Sequence, residues 1–479
     1  MIKHFFVILS FSLLMLIGLP SLVSGNEQWQ DENIYYILID RFSNGSSTND
    51  FEIDIENPNA YHGGDLQGII NHLGHIKELG FTTINLSPVM SNEIDGYHGF
   101  LIDDFRSVEE HFGTIEDVKE LVDSAHDMEL KVTFDFVVSH LSKTHNWVNE
   151  NNDWIDGEVS NRWGDNLPSP ALQNTEVEQY FLDTAAFWIE ETNVDGFRLY
   201  VDEQTPDPFI ARFIDHVKMR NANTFVFIDE RNFNPMKFPV GYYDQEAVNV
   251  FRQAGQPLTG LLKGVEQNQP KITYVDSIET TRFTREAIKQ GQNPITRWKL
   301  ALTYLYTTPG TPMIYQGTEI PMDNGEDTPD HQMIQIKGGD EELTAHIQQL
   351  AAIRKQFPAI TNGDFAVEQS NGAMSLYKRT NRSKTVYVAI NNDTQTKTIT
   401  IENIPDGMQL TGLIQDNIVR EQENGEFRIV LDRETADIFI VEEDTGLNWL
   451  FLSFIAIVMA AFIIPIIYLS RKNKKKSSE

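Results

Sequence analysis

Lys131-Val-Thr-Phe-Asp135-Phe-Val-Val-Ser-His140 reads as an apolar strand over 130–138 that runs out onto polar groups at its C-terminal end. Just before it, 115–128 carries apolar residues at helical spacing. After a polar interval, 175–191 does the same, and another apolar run follows at 195–201. The alternation extends outward in both directions. Upstream lie runs at 34–39 and 83–87, with a helical stretch at 66–79. Downstream lie runs at 224–228 and 271–275, then a helical stretch at 294–307. Strands that alternate with helices predict parallel strands covered by helices. Over 28–362 the expected closure is an α/β fold, the eight-stranded (β/α)8 TIM barrel. A doubly wound open sheet is the other closure, but no Gly-rich phosphate loop opens any helical stretch.

Two segments break the alternation. Between 141 and 174, Trp147, Trp154 and Trp163 sit among Asn, Asp and Gly. A long loop inside a barrel is usually functional, so a small loop domain is expected after the third strand. Beyond 362 the pattern becomes short alternating strands separated by turn residues. That predicts an antiparallel β-sandwich over 363–443.

Both ends carry targeting signals. Met1-Ile-Lys-His, an apolar run over 5–19, Pro20 and the small residues Ser24 and Gly25 give 1–25 a signal-peptide layout. An uncleaved anchor helix is the alternative. From 450 to 469 no residue is charged, and about 20 apolar residues span a bilayer core. Trp449 and Tyr468 sit at its two ends, where interfacial aromatics belong. Arg471, Lys472, Lys474, Lys475 and Lys476 follow, so the tail 470–479 is expected on the cytoplasmic side. The ends together predict one transmembrane helix, a single-pass place in the cell membrane and an extracytoplasmic body.

Cysteine is absent, which excludes disulfides, thiolate metal sites and cysteine nucleophiles. The formal net charge of −32 argues against a nucleic-acid partner.

Functional groups collect at the C-terminal rim of a TIM barrel. Asp135 and His140 end one strand. In Asp195-Gly-Phe-Arg198-Leu-Tyr200-Val-Asp202, two-residue alternation puts Arg198, Tyr200 and Asp202 on one face. Phe225-Val-Phe-Ile-Asp229-Glu230 and Tyr274-Val-Asp276-Ser-Ile278-Glu279 add carboxylates. Around them stand Asp40-Arg-Phe, His62-Gly-Gly-Asp65, Tyr97-His98-Gly-Phe100, His111-Phe-Gly-Thr and Pro309-Gly-Thr-Pro-Met-Ile-Tyr-Gln-Gly-Thr-Glu319. In this order the segments resemble the signature regions of the α-amylase family of glycoside hydrolases. The resemblance covers 32–441. It implies a barrel, a loop domain, a C-terminal β domain and an α-glucan or maltooligosaccharide ligand.

Retaining cleavage of a glycosidic bond needs two carboxylates about 5–5.5 Å apart. The resemblance places the nucleophile position at Tyr200, the general acid at Glu230 and the stabilising carboxylate, usually Asp, at Glu279. The His that usually precedes the last is Ile278, and the usual Asn of the first region is Ser139. His98, Phe100, Asp135, His140 and Arg198 are the implied substrate-binding residues. Arg198 normally holds the nucleophile carboxylate; opposite a phenol it needs another partner, with Asp202 and Asp135 as candidates. Asn44, Asn49, Asp50, Gly63 and Asp65 resemble the calcium loop of cyclodextrin glucanotransferases, and clustered oxygen ligands suit Ca²⁺. Three functions fit these residues. One is a binding protein for α-glucans with impaired or absent hydrolysis. Another is an active hydrolase or transglycosylase with Glu230 as general acid. The third is a non-catalytic interaction subunit with a membrane-protein partner.

Overall fold

The β-branched and aromatic runs form eight parallel strands that close on themselves. They are β1 (Ile34–Ile37), β2 (Thr83–Leu86), β3 (Lys131–Val137), β4 (Gly196–Tyr200), β5 (Phe225–Asp229), β6 (Val240–Tyr243), β7 (Lys271–Tyr274) and β8 (Gly310–Tyr315). Each pairs with the next in the chain, and β8 returns to β1. A computed structural model describes residues 28–476 apart from 151, 230–238, 269–270, 326–330, 383, 403, 424, 445 and 447–448. The expected signal segment 1–25 lies outside the described residues, and so does Glu230.

Register sets the site. Asp135 pairs with Arg198 and Val137 with Tyr200 across β3 and β4, while Arg198 pairs with Phe227 across β4 and β5. Every residue of β4 and β5 is buried. Their close approach requires Gly196, where an added Cβ would lie 1.9 Å from the Phe225 carbonyl oxygen.

The helices start where capping chemistry allows. Thr114 and Asp117 form a capping box for Ile115–Asp127. Asn174 caps Thr175–Thr192, which ends at Asn193 in the left-handed conformation with φ 56°. The latter helix buries Trp188, whose indole donates to the Phe105 carbonyl at 2.9 Å. The stretch 66–79, read as one helix, is two: Leu66–Ile70 and Leu73–Glu78. His72 takes non-helical backbone at the break and bonds through its ring to the Gly68 carbonyl. The polar interval after β3 folds into the hairpin Ile155–Asn161 with Gly164–Pro170.

Beyond the barrel, a six-stranded antiparallel sheet and the pair Lys397–Ile401 with Phe427–Leu431 enclose their own core. Met374, Leu376, Ile399, Phe427, Ile429 and Phe439 fill it. Barrel and C-terminal β-sheets agree with the sequence reading.

The C-terminal end requires a correction. The helix Trp449–Lys476 forms and carries Pro465 in its interior. Among the described residues no helix is long and apolar enough to cross a membrane. This overturns the expected transmembrane helix at 450–469, and with it the single-pass placement in the cell membrane.

Candidate active site

β3 carries Asp135 to the barrel interior, β4 carries Arg198 and Tyr200, and β5 carries Asp229. The loop after β7 carries Glu279 to the same place. Arg198 is fully buried. Its Nη1 lies 3.1 Å from Asp135 Oδ2, and its Nη2 lies 3.0 Å from Asp229 Oδ2 and 3.7 Å from Glu279 Oε1. Asp135 also accepts from Tyr36 Oη and Asn85 Nδ2, each at 2.8 Å. Burial pushes the Asp135 carboxyl up to about 6, against the pull of Arg198 and these donors. Burial also works against the Arg198 charge, but Asp229 and Asp135 more than offset it and hold the guanidinium well above its ordinary range.

Asp229 answers the question of Arg198's partner. A lone buried guanidinium would cost several kcal/mol, and this carboxylate, steadied by Tyr274 Oη at 3.1 Å, supplies the charge. The sequence reading named Asp202 and Asp135 instead. Asp135 does pair. Asp202 does not, because β4 ends at Tyr200. Asp202 Oδ1 accepts from Gln204 N and from Thr205 N and Oγ1, which makes it a turn residue. The signal for Asp229 was present. It is a carboxylate at the end of an apolar strand, two residues beyond Phe227 and so on Arg198's side of the sheet.

Tyr200 is fully buried. Its hydroxyl donates to Glu279 Oε2 at 3.2 Å and accepts from Trp163 Nε1 at 3.2 Å. The Phe100 ring meets Tyr200 edge-on at 5.0 Å and lies parallel to Trp163, with centroids 4.4 Å apart and 6° between planes. His98 stands 4.5 Å from the Trp163 ring and accepts from the Phe100 amide through Nδ1. Burial, then the neighbouring His331 and His140, press His98 well below the ordinary imidazole range. His140 Nε2 bonds to the Phe100 carbonyl at 3.0 Å, so that nitrogen carries the proton and Nδ1 accepts, 2.8 Å from Ser139 Oγ.

The structure therefore gathers Tyr200, Glu279, Arg198, Asp135, His98, Phe100 and His140 at one mouth of the barrel. Two residues there were missed besides Asp229. Trp163 was read only as one of three loop tryptophans. Of those, Trp147 and Trp154 pack on each other at 4.7 Å and beside Tyr180. His331 Nε2 donates to the Ile278 carbonyl at 2.8 Å and its Nδ1 lies 2.9 Å from Tyr97 Oη; its loop offers no sequence signal of that contact.

The expected metal ligands gather separately, in the loop after β1. Asn44 Nδ2 donates to Asp50 Oδ1 at 2.7 Å. Asp65 accepts from the amides of Gly45, Ser46 and Gly68. Asn49 donates to the His111 carbonyl, while its own Oδ1 is buried without a hydrogen-bond partner. Gly63, at φ +90°, lets the loop close; a Cβ there would meet Asn44 and Asp50 at 2.8 and 3.1 Å. An orphaned buried amide oxygen in a loop that also holds Asp50 and Asp65 suits the oxygen preference of a hard cation. Among the described residues no three His, Cys, Asp or Glu side chains form a metal cluster, so this donor set is mainly amide and carboxylate oxygen.

Two family profiles match the chain: the α-amylase catalytic domain over 36–163 and the α-amylase C-terminal domain over 363–439. The β/α-amylase of Paenibacillus polymyxa is 29% identical over an aligned length of 468, gaps included, that covers 86% of this chain but only 38% of that protein. The crystal structure of an Anoxybacillus α-amylase is 39% identical, with a TM-score of 0.82 over 88% of this chain and 99% of that one. The α-amylase from Geobacillus thermoleovorans, complexed with acarbose, is 33% identical, with a TM-score of 0.78 over 87% and 99%.

Proposed function

The chain belongs to the α-amylase family of glycoside hydrolases, and on that premise we propose that it binds α-glucans of the maltooligosaccharide class with double-displacement hydrolysis disabled at Tyr200. The observation that carries this reading is the buried Tyr200 hydroxyl held between Glu279 and Trp163. In retaining hydrolysis a carboxylate oxygen bonds to the anomeric carbon while the leaving oxygen takes a proton from the acid. A phenol with an ordinary pKa near 10 is neutral at neutral pH. Here its proton is directed at Glu279 and its oxygen accepts from an indole N–H, so it presents no anion to a sugar. Binding needs less. Phe100, covered in this structure by Trp163, has a ring face that a sugar could take, and His98, His140, Asp135 and Arg198 lie around it. The acarbose complex of the Geobacillus thermoleovorans α-amylase supports an oligosaccharide-sized ligand.

Titration calorimetry with maltoheptaose tests the reading. Heat of binding without release of reducing sugar is expected; absence of heat contradicts it. A second reading keeps hydrolysis, and one observation favours it. Asp229 and Glu279 place two carboxylates on the same guanidinium nitrogen, and Asp229 directly precedes the acid position Glu230. Steady release of reducing sugar would select it.

We further propose that Asn44, Asn49, Asp50, Gly63 and Asp65 hold Ca²⁺. Bound there, the ion would supply a structural cross-link between the loop after β1 and the start of helix Leu66–Ile70, which Asp65 caps.

A further inference from the structure

We propose that Trp163 selects ligands at this site: its indole lies on the face of Phe100 where a sugar ring would stack, and an α-glucan binds by displacing it. The inference rests on the α-glucan reading above. A sugar packs its C–H face on an aromatic ring and satisfies its hydroxyls at the ring's rim. Phe100 has no exposed surface, because the Trp163 ring covers it in parallel at 4.4 Å. The indole does at its rim what a sugar hydroxyl would do. Its N–H donates to Tyr200 at the nucleophile position, and its ring meets His98 at 4.5 Å. One side chain thus reproduces the stacking, the hydrogen bond and the imidazole contact of a bound sugar unit.

The placement of Trp163 suits displacement. It is the second of the two turn residues in the hairpin Ile155–Asn161 with Gly164–Pro170, whose first strand is largely exposed. Register shifts interrupt the pairing between Ile155 and Glu158 and between Val159 and Asn161, so few ladder bonds hold the tip. The backbone N–H of Trp163 is tied to Asn161 Oδ1 at 2.8 Å, and Asn161 in turn reaches His140. Opening the tip therefore breaks the contacts of Asn161 with His140, of Arg162 Nη2 with His331 Nε2 at 3.2 Å and of the Trp163 indole with Tyr200. A glucan must supply more contact than the indole removes, which favours several linked rings over a single one.

Calorimetry with maltoheptaose and fluorine NMR on 5-fluorotryptophan-labelled protein test this together. If the closed form holds about nine-tenths of the population, Trp163→Ala binds maltoheptaose about tenfold tighter than the wild type. Trp163→Phe keeps the stack and loses the donor, so it falls between. In labelled wild type, the resonance missing from Trp163→Phe shifts at maltoheptaose saturation. The other tryptophan resonances of Trp163→Phe, unmoved from the wild type, show that the variant used for the assignment is folded. Equal or weaker binding by a folded Trp163→Ala, or a Trp163 resonance that stays in place while the wild type binds, overturns the proposal and leaves the α-glucan reading standing. No heat from either wild type or Trp163→Ala overturns both.

Discussion

Arg198 already shares its one positive charge among Asp135, Asp229 and Glu279. Tyr200→Asp would add a fourth buried carboxylate beside Glu279. We expect it to lower stability by about 1–3 kcal/mol, read as a shift of the urea midpoint. Asp229→Asn in the same chain should recover part of that loss, with a coupling energy of about 1 kcal/mol or more in the double-mutant cycle. Additive effects would contradict the shared-charge account. For the same reason Tyr200→Asp, Ile278→His and Glu279→Asp should restore hydrolysis only poorly without Asp229→Asn. At this scale the sequence was half legible. Tyr200 announced itself because Asp195-Gly-Phe-Arg198 fixes its position on a strand. Asp229 was visible as a rim carboxylate, but its pairing with Arg198 was not, because that depends on which strand lies beside β4, and pairing is a property of the closed barrel.

Among the elements, the alternation of apolar runs and helical stretches was readable because both faces of a barrel strand and one stripe of each helix are buried. The hairpin after β3 was not, since Gly157, Gly164, Pro168 and Pro170 interrupt its two-residue pattern. Nor was the split between Leu66–Ile70 and Leu73–Glu78, where apolar spacing continues across a break made by His72. Gly196→Ala should test the contact between β4 and β5. A methyl group facing the Phe225 carbonyl forces the strands apart, at a cost of about 1–3 kcal/mol in thermal or urea unfolding; an unchanged midpoint would refute it. The loop after β1 gives a second test. Dialysis against a chelator should lower the melting temperature and release Ca²⁺, and Asp50→Asn should abolish that sensitivity. No metal and no shift would remove the calcium proposal.

For the whole molecule, acid stability follows from buried imidazoles. His346 links Glu341–Gln356 to Pro294–Thr307 through the Lys299 carbonyl at 3.0 Å, and burial lowers it to about 4. His145 is likewise lowered to about 4, mainly by burial. Each is neutral in the fold where the unfolded chain would bind a proton. Their contribution is intact above about pH 6.5 and is lost progressively toward pH 4. Asp135 acts with the opposite sign between about 4 and 6, since its raised carboxyl favours the folded state when protonated. Comparison with His346→Gln separates the two. That variant should flatten the fall in melting temperature between pH 6.5 and 4, and an identical slope would refute the assignment. The account as a whole turns on Tyr200, in a family whose relatives are named for cleaving α-glucans. Reducing-sugar release from maltoheptaose, with Glu230→Gln measured alongside, reaches it most directly. The account predicts no release above that of Glu230→Gln; turnover by the wild type that Glu230→Gln abolishes would contradict it.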